Sequence, residues 1–199
     1  MKVLVACEFS GIVREAFAKK GHDAWSCDLL PSEITGKHIQ CDVRSVISGG
    51  WDLMVAHPPC TYLSTVGNRH LKMPGRDVKR RAAAVFFMAL WDSKIPKICI
   101  ENPVGYMSSL FRPADQIIQP YQFEHPVQKR TCLWLKNLPL LKPTILLPKP
   151  EPEYICQGKK SMGKKIYFVE AAKGDGLHRE QYRSRSFPGV ADAMADQWG

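Results

Sequence analysis

Apolar and polar positions along the chain fall into alternating strand-like and helix-like stretches from the first residues onward. Lys2 to Glu8 is a β-rich apolar run, Ser10-Gly11 breaks it, and Ile12 to Lys20 repeats at helical spacing until Gly21. Further short strands are expected at Asp23 to Asp28, before Pro31, at His38 to Asp42, and at Asp52 to Ala56 after the Gly49-Gly50 turn. Arg76 to Trp91 contains no breaker and carries Ala82, Ala83, Phe86, Phe87 and Leu90 on one side, the pattern of an amphipathic helix. Ile98 to Glu101 reads as another buried strand. Strands separated by segments of this length need long crossovers, so the pattern predicts a doubly wound α/β fold with a mostly parallel sheet.

The pattern changes at Gln116. Gln116 to Phe123 and Arg130 to Lys136 read as two strands joined around Glu124-His125-Pro126, an antiparallel hairpin at the sheet edge. Residues 139–158 are rich in Pro and Lys and read as a surface loop. Phe187 to Trp198 starts at Pro188 and places Val190, Met194 and Trp198 four apart, which predicts a closing amphipathic helix. No internal repeat is visible.

With 199 residues, 45% hydrophobic and 24% charged, the chain fits one domain able to bury a core without staples. No apolar run reaches membrane-spanning length, and Glu8 arrives too early for a secretory leader, so a soluble cytoplasmic protein with no membrane partner is expected. Seven cysteines without a CxxC pair and six scattered histidines signal neither a disulfide framework nor a metal site. Most of the cysteines are therefore expected to be reduced, and Cys7, Cys27 and Cys99 to be buried and inert.

Charge adds a partner class. The net charge of +9 favours a polyanion such as nucleic acid. Residues 69–81 hold Arg69, Lys72, Arg76, Lys79, Arg80 and Arg81 against only Asp77, and residues 159–185 form a second basic run interleaved with Tyr167, Phe168 and Tyr182. Two solvated faces would carry the same composition.

Ligands of open α/β sheets bind at the carboxyl ends of strands. Four segments stand there: the Glu8-Phe9-Ser10-Gly11 turn, Asp28, Asp42 and His57-Pro58-Pro59-Cys60. A glycine turn entering a helix, followed by an acid ending the second strand, suits a nucleoside cofactor whose ribose hydroxyls donate to that acid. An ordinary tight turn with a solvent-facing Asp28 fits the same residues. Pro58 and Pro59 stiffen the next loop and hold the Cys60 thiol at the sheet mouth, a plausible nucleophile. Glu101, ending its strand before Asn102-Pro103, supplies a carboxyl group at the same edge, so the two read as a nucleophile and an acid.

The order FSG, Asp28, Asp42, PPC, ENP and Gln128-x-Arg130 resembles the DNA cytosine-5 methyltransferase family over residues 3–136. The resemblance implies a sheet of the S-adenosylmethionine-dependent methyltransferase type in a bacterial or phage-infected cell. It further implies that Phe9, Ser10, Gly11 and Pro58 line the S-adenosylmethionine pocket, with Asp28 accepting from the ribose and Asp42 meeting the adenine amino group. Cys60, Glu101 and Arg130 become catalytic: Cys60 adds to C6 of cytosine, protonated Glu101 bonds N3, and Arg130 holds O2. Gln128, Arg69, Arg76 and Arg80 become substrate contacts, and DNA, duplex or single-stranded, becomes the partner.

Three departures qualify the match. The cofactor turn FSGIV has fewer glycines than the family shows, Cys132 stands where a second arginine is usual, and residues 139–185 occupy the place of a large target-recognition domain. The expectation is one catalytic domain over 1–199 with a short basic, loop-rich insertion at 139–185. Alternatives are methylation of a free cytosine nucleotide or RNA, or a non-catalytic nucleic-acid-binding relative. An amino-methylating enzyme is a further rival, but its motif ends in an aromatic where Cys60 stands.

Overall fold

The computed structural model describes residues 1–65, 72–152, 154–157, 162–163, 165–166 and 184–199. Strand β1 (Lys2–Ala6) is flanked by parallel neighbours on both sides, and its Val3, Leu4, Val5 and Ala6 are fully buried. A near-continuous apolar run is what a strand covered on both faces requires. Helix α1 (Ile12–Lys19) returns the chain to β2 (Asp23–Asp28), and β3 (His38–Gln40) and β4 (Leu53–Ala56) follow. Helix α2 (Arg76–Trp91) leads to β5 (Lys97–Pro103), then a short helix α3 (Met107–Leu110), β6 (Gln116–Ile118) and β7 (Thr131–Lys136). A two-stranded unit, β8 (Tyr154–Ile155) with β9 (Lys165–Ile166), and helix α4 (Pro188–Trp198) complete the described elements.

The seven-stranded sheet has the order β3-β2-β1-β4-β5-β7-β6. Strands β1 to β5 pair in parallel, whereas β7 runs antiparallel to both β5 and β6. The expected doubly wound, mostly parallel sheet with an antiparallel hairpin at one edge is therefore the observed one. Each face has its own core. On one, α1 and α4 bury Val13, Phe17, Met194 and Trp198 against Val3, Val5, Val55 and Leu133. On the other, α2 buries Ala84, Phe87 and Leu90 with Leu4, Met54, Ile100 and Trp134.

Several expected boundaries move for local reasons. Strand β3 stops at Gln40 because Asp42 caps a 3-10 turn at Val43–Ser45, its carboxylate accepting from the Arg44 amide at 2.9 Å. Strand β6 stops at Ile118 and not Phe123, since Pro120 has no N–H for the ladder and opens a 3-10 turn over Pro120–Gln122. Ala82 on α2 is exposed, and Ala84 takes the buried place. The loop expected over 139–158 is irregular to residue 152 but contains β8, and α3 lies where no element was expected. Arg69 and most of the basic run 159–185 lie outside the described residues.

Candidate active site

Parallel strands end together, so β1, β2, β4 and β5 deliver the Cys7–Gly11 turn, Asp28, His57–Cys60 and Glu101–Pro103 to one edge of the sheet; Asp42 follows β3 there. Because β7 is antiparallel, with Thr131 opposite Pro103, its beginning reaches this edge too and brings Gln128, Lys129 and Arg130 with it. The segments singled out in the sequence thus converge, although they are scattered over more than half of its length.

The thiol loop is held from two sides. Pro58 is buried and its carbonyl accepts from the Asn102 side-chain amide at 2.9 Å, which ties the loop to β5. Pro59 and Cys60 are exposed. Beyond Cys60, the Leu63 carbonyl accepts from the Tyr106 amide at 2.7 Å and the Val104 carbonyl from the Thr65 amide at 3.2 Å, strapping residues 63–65 to the turn after β5. That strap needs glycine at position 105, where an added Cβ would lie 2.0 Å from the Leu63 carbonyl oxygen. Gly105→Ala is expected to destabilise the fold by about 1–3 kcal/mol and to displace the thiol loop, read as a lower melting temperature together with altered Cys60 alkylation kinetics.

Arg76 and Arg80 serve this same loop. The Arg76 guanidinium donates to the Thr61 carbonyl at 3.0 Å and lies 4.6 Å from the Tyr62 ring centre. Arg80 donates to the Tyr62 carbonyl at 3.1 Å and stacks over Tyr106 at 4.5 Å. Two fixed positive charges thus flank the residues following Cys60. The phosphate-contact role expected for these two arginines has to coexist with these loop contacts.

Glu101 does not stand alone at the edge. Its Oε2 lies 2.7 Å from His57 Nδ1 across the β4–β5 pair, with side-chain exposures of 16% for Glu101 and 10% for His57. Burial by itself pushes Glu101 up, but the hydrogen bond and charge of His57, with Lys129 behind them, outweigh it and hold the carboxyl at about 2. Burial pushes His57 down, and the hydrogen bond and charge of Glu101, with Glu8 adding, carry it above its ordinary value. Both shifts favour the imidazolium–carboxylate form of the pair in the free protein, so Glu101 would have to acquire a proton before it could bond N3 of a base as the resemblance implies.

Alternation along β7 decides which base meets the carboxylate. Lys129 and Thr131 line a small cavity with Glu101, Phe187 and Val190, and the Lys129 ammonium sits 5.7 Å from the Phe187 ring centre. Arg130 is exposed, and its charge acts on Cys132, whose side chain belongs to the α2 core. Gln128 donates to the Pro150 carbonyl at 2.8 Å and anchors the following loop. Counting by twos from the buried Leu133 back to Lys129 would have found this cation, and the same count from Val55 would have found His57.

On the other half of the edge, Glu8 is buried and receives the Val13 and Arg14 amides at 2.7 and 3.2 Å, capping α1. Ser10 is buried and donates to Glu8 at 3.2 Å, and Phe9 is half-buried with its carbonyl accepting from the Glu33 amide at 2.8 Å. Gly11 has φ 74°, and a Cβ there would strike Ile34 and Arg14, so the backbone and residues 29–36 approach one another closely. Asp28 and Asp42 are half-buried at the ends of β2 and just after β3. Burial raises the Cys7 thiol, and the charges of Asp28, Cys27 and Asp42 raise it further, which places both carboxylates around Cys7. Asp42 is held down at about 2 by its hydrogen bonds with Arg44.

Sheet order and the antiparallel β7 define a doubly wound, mostly parallel α/β fold whose parallel strands deliver the candidate residues to one edge. A search of solved structures finds a prophage-encoded protein of E. coli, provisionally assigned as a DNA modification methyltransferase, at a TM-score of 0.48 and 15% identity. The match covers 77% of this chain, which spans 56% of that one. No family model and no curated protein matches the sequence. Among the described residues no helix is long and apolar enough to cross a membrane, and no group of three or more His, Cys, Asp or Glu side chains could hold a metal ion.

Proposed function

We propose that the protein transfers a methyl group from S-adenosylmethionine to C5 of cytosine in DNA, through a covalent Cys60 adduct at C6. The observation that carries this reading is the Cys60 loop tied by Asn102 to the strand bearing Glu101, beside an edge lined by the acids Glu8, Asp28 and Asp42. Those acids fit the cofactor: Asp28 offers a carboxylate to ribose hydroxyls, and the anionic surround complements a sulfonium. Phe9, Ser10, Gly11 and Pro58 are proposed to line the same pocket, while Asp42 would reach an adenine amino group only alongside its Arg44 partner. When bound, the cofactor supplies an electrophilic methyl group.

Cytosine C5 is too poor a nucleophile to take that methyl unaided. Addition of the Cys60 thiolate to C6 pushes electron density toward C5 and N3, and a proton from Glu101 on N3 stabilises it. C5 then carries the nucleophilic electrons. After transfer a base removes the C5 proton, the C6–S bond breaks, and Cys60 leaves as thiolate. Lys129 stands beside Glu101 and Arg130 at the adjoining exposed rim, so either cation can meet O2 or a phosphate. Chemistry on a ring edge needs the base out of a stacked duplex.

Residues 139–185 are proposed as a short basic insertion within the single catalytic domain. DNA is preferred over free nucleotide because Arg76, Lys79 and Arg80 line the face beside the thiol loop. The test offers methyl-tritiated S-adenosylmethionine with duplex DNA, single strands, RNA and dCTP separately. Label on DNA, with transfer falling steeply as salt rises, is the expected result; label confined to dCTP or RNA would replace DNA as the substrate.

A further inference from the structure

The His57–Glu101 pair poses a protonation problem that the cytosine reading does not itself solve. Glu101 must present a proton to N3, yet in the free protein its carboxyl is ionised against His57. The imidazole is nine-tenths buried and its Nδ1 meets Glu101 at 2.7 Å, while Nε2 is buried with no hydrogen-bond partner among the described residues. The ring is held in place by Glu101 and by its backbone just after β4, where the His57 amide donates to the Ala6 carbonyl at 2.9 Å. Charged groups face it from every adjoining element: Glu101 from β5, Glu8 from the turn after β1, and Lys129 from the segment before β7. The two acids favour the imidazolium and the lysine opposes it.

Resting on the proposed cytosine chemistry, we propose that His57 is a positioning residue that stores, at Nδ1, the proton which Glu101 passes to N3 of the target base. Protons and electrons balance. As the Cys60 sulfur bonds to C6, the electron pair of the ring moves onto N3, and the His57 Nδ1 proton passes to Glu101 and from Glu101 to N3, leaving a neutral imidazole and a carboxylate. At elimination the C6–S bond breaks, N3 releases its proton to Glu101, and His57 is recharged. Entry of the base dilutes the contact that keeps Glu101 ionised, which is what makes its proton available in the complex and not before. Through Glu101 the histidine thus favours a base with an unprotonated ring nitrogen beside an amino-bearing carbon, as cytosine has.

Because the stored proton is carried below the His57 pKa and lost above it, turnover should hold at lower pH and fall with unit slope as pH rises through that raised value. His57→Asn keeps an amide donor toward Glu101 but stores no proton. It is expected to lower the single-turnover rate by about 10²-fold or more near neutral pH and to move the descending limb to lower pH, where Glu101 itself ionises. In parallel, nitrogen-15 spectra of the unliganded protein should show His57 titrating above the ordinary histidine value, and moving down in Glu101→Gln; this arm needs no activity and serves if His57→Asn misfolds. A descending limb unchanged in His57→Asn, or a His57 ring neutral from about pH 5.5 upward, overturns the storage role while leaving Cys60 chemistry intact. Wild-type protein that forms no Cys60 adduct with DNA at any pH overturns the cytosine reading and the storage role with it.

Discussion

Cys60→Ala is expected to lower the single-turnover rate of methyl transfer to DNA by at least about 10⁴-fold, because removal of a covalent nucleophile takes the main reaction path with it. The effect should fall on chemistry alone. Cys60 is exposed, and its loop is held through the Pro58 and Leu63 carbonyls and through Gly105. Melting temperature and cofactor affinity should therefore stay within error of wild type. Cys60→Ser is expected to be nearly as inactive, since an alcohol stays un-ionised near neutral pH where a thiol can supply the thiolate nucleophile. Rapid-quench measurement with excess enzyme separates this loss from any change in product release. Retention of more than a tenth of the rate in Cys60→Ala would remove the thiol from the mechanism.

Arg14→Met is expected to cost about 3–5 kcal/mol of stability, the largest such effect of any single substitution considered, read by urea unfolding. The Arg14 side chain is fully buried, and its guanidinium donates to Glu15, Ser26, Ser32 and the Ile34 and Thr35 carbonyls at 2.9 to 3.1 Å. Gly36 lies against the same group, where a Cβ would come within 2.6 Å of it. One side chain thus fastens residues 32–36 over Gly11 and Phe9. Methionine would fill most of the volume but take the guanidinium donor away from all five acceptors. Arg14→Lys should rescue little, having a single nitrogen where three are used. Because the loop borders the Gly11 turn and Asp28, S-adenosylmethionine affinity should weaken as well.

Much of the fold could be read before any coordinates, for reasons that differ from element to element. Strand β2 and helix α2 start and end where the pattern placed them, because their periodicity is strong and their flanks carry breakers. Boundaries failed where one residue took a local job instead: Asp42 as a cap, Pro120 as the start of a tight turn. The site was legible as an order of motifs, since each motif ends a strand and parallel strands end together. What was missed depends on pairing across strands. His57 meets Glu101 only because β4 and β5 lie side by side in register, and Lys129 faces the same carboxylate only because of its parity on the way into β7. Arg14 gave no signal at all, for its burial comes from a loop folding back over it.

The most direct test of the central claim offers the protein DNA containing 5-fluorocytosine, with S-adenosylmethionine present. Fluorine at C5 cannot leave as a proton does, so an enzyme that attacks C6 through Cys60 is trapped after methyl transfer. A covalent protein–DNA species surviving denaturing electrophoresis, absent without cofactor and absent in Cys60→Ala, is the predicted result. Methylation of ordinary DNA by the same preparation with no trapped species, or label recovered on an exocyclic amino group, would contradict it.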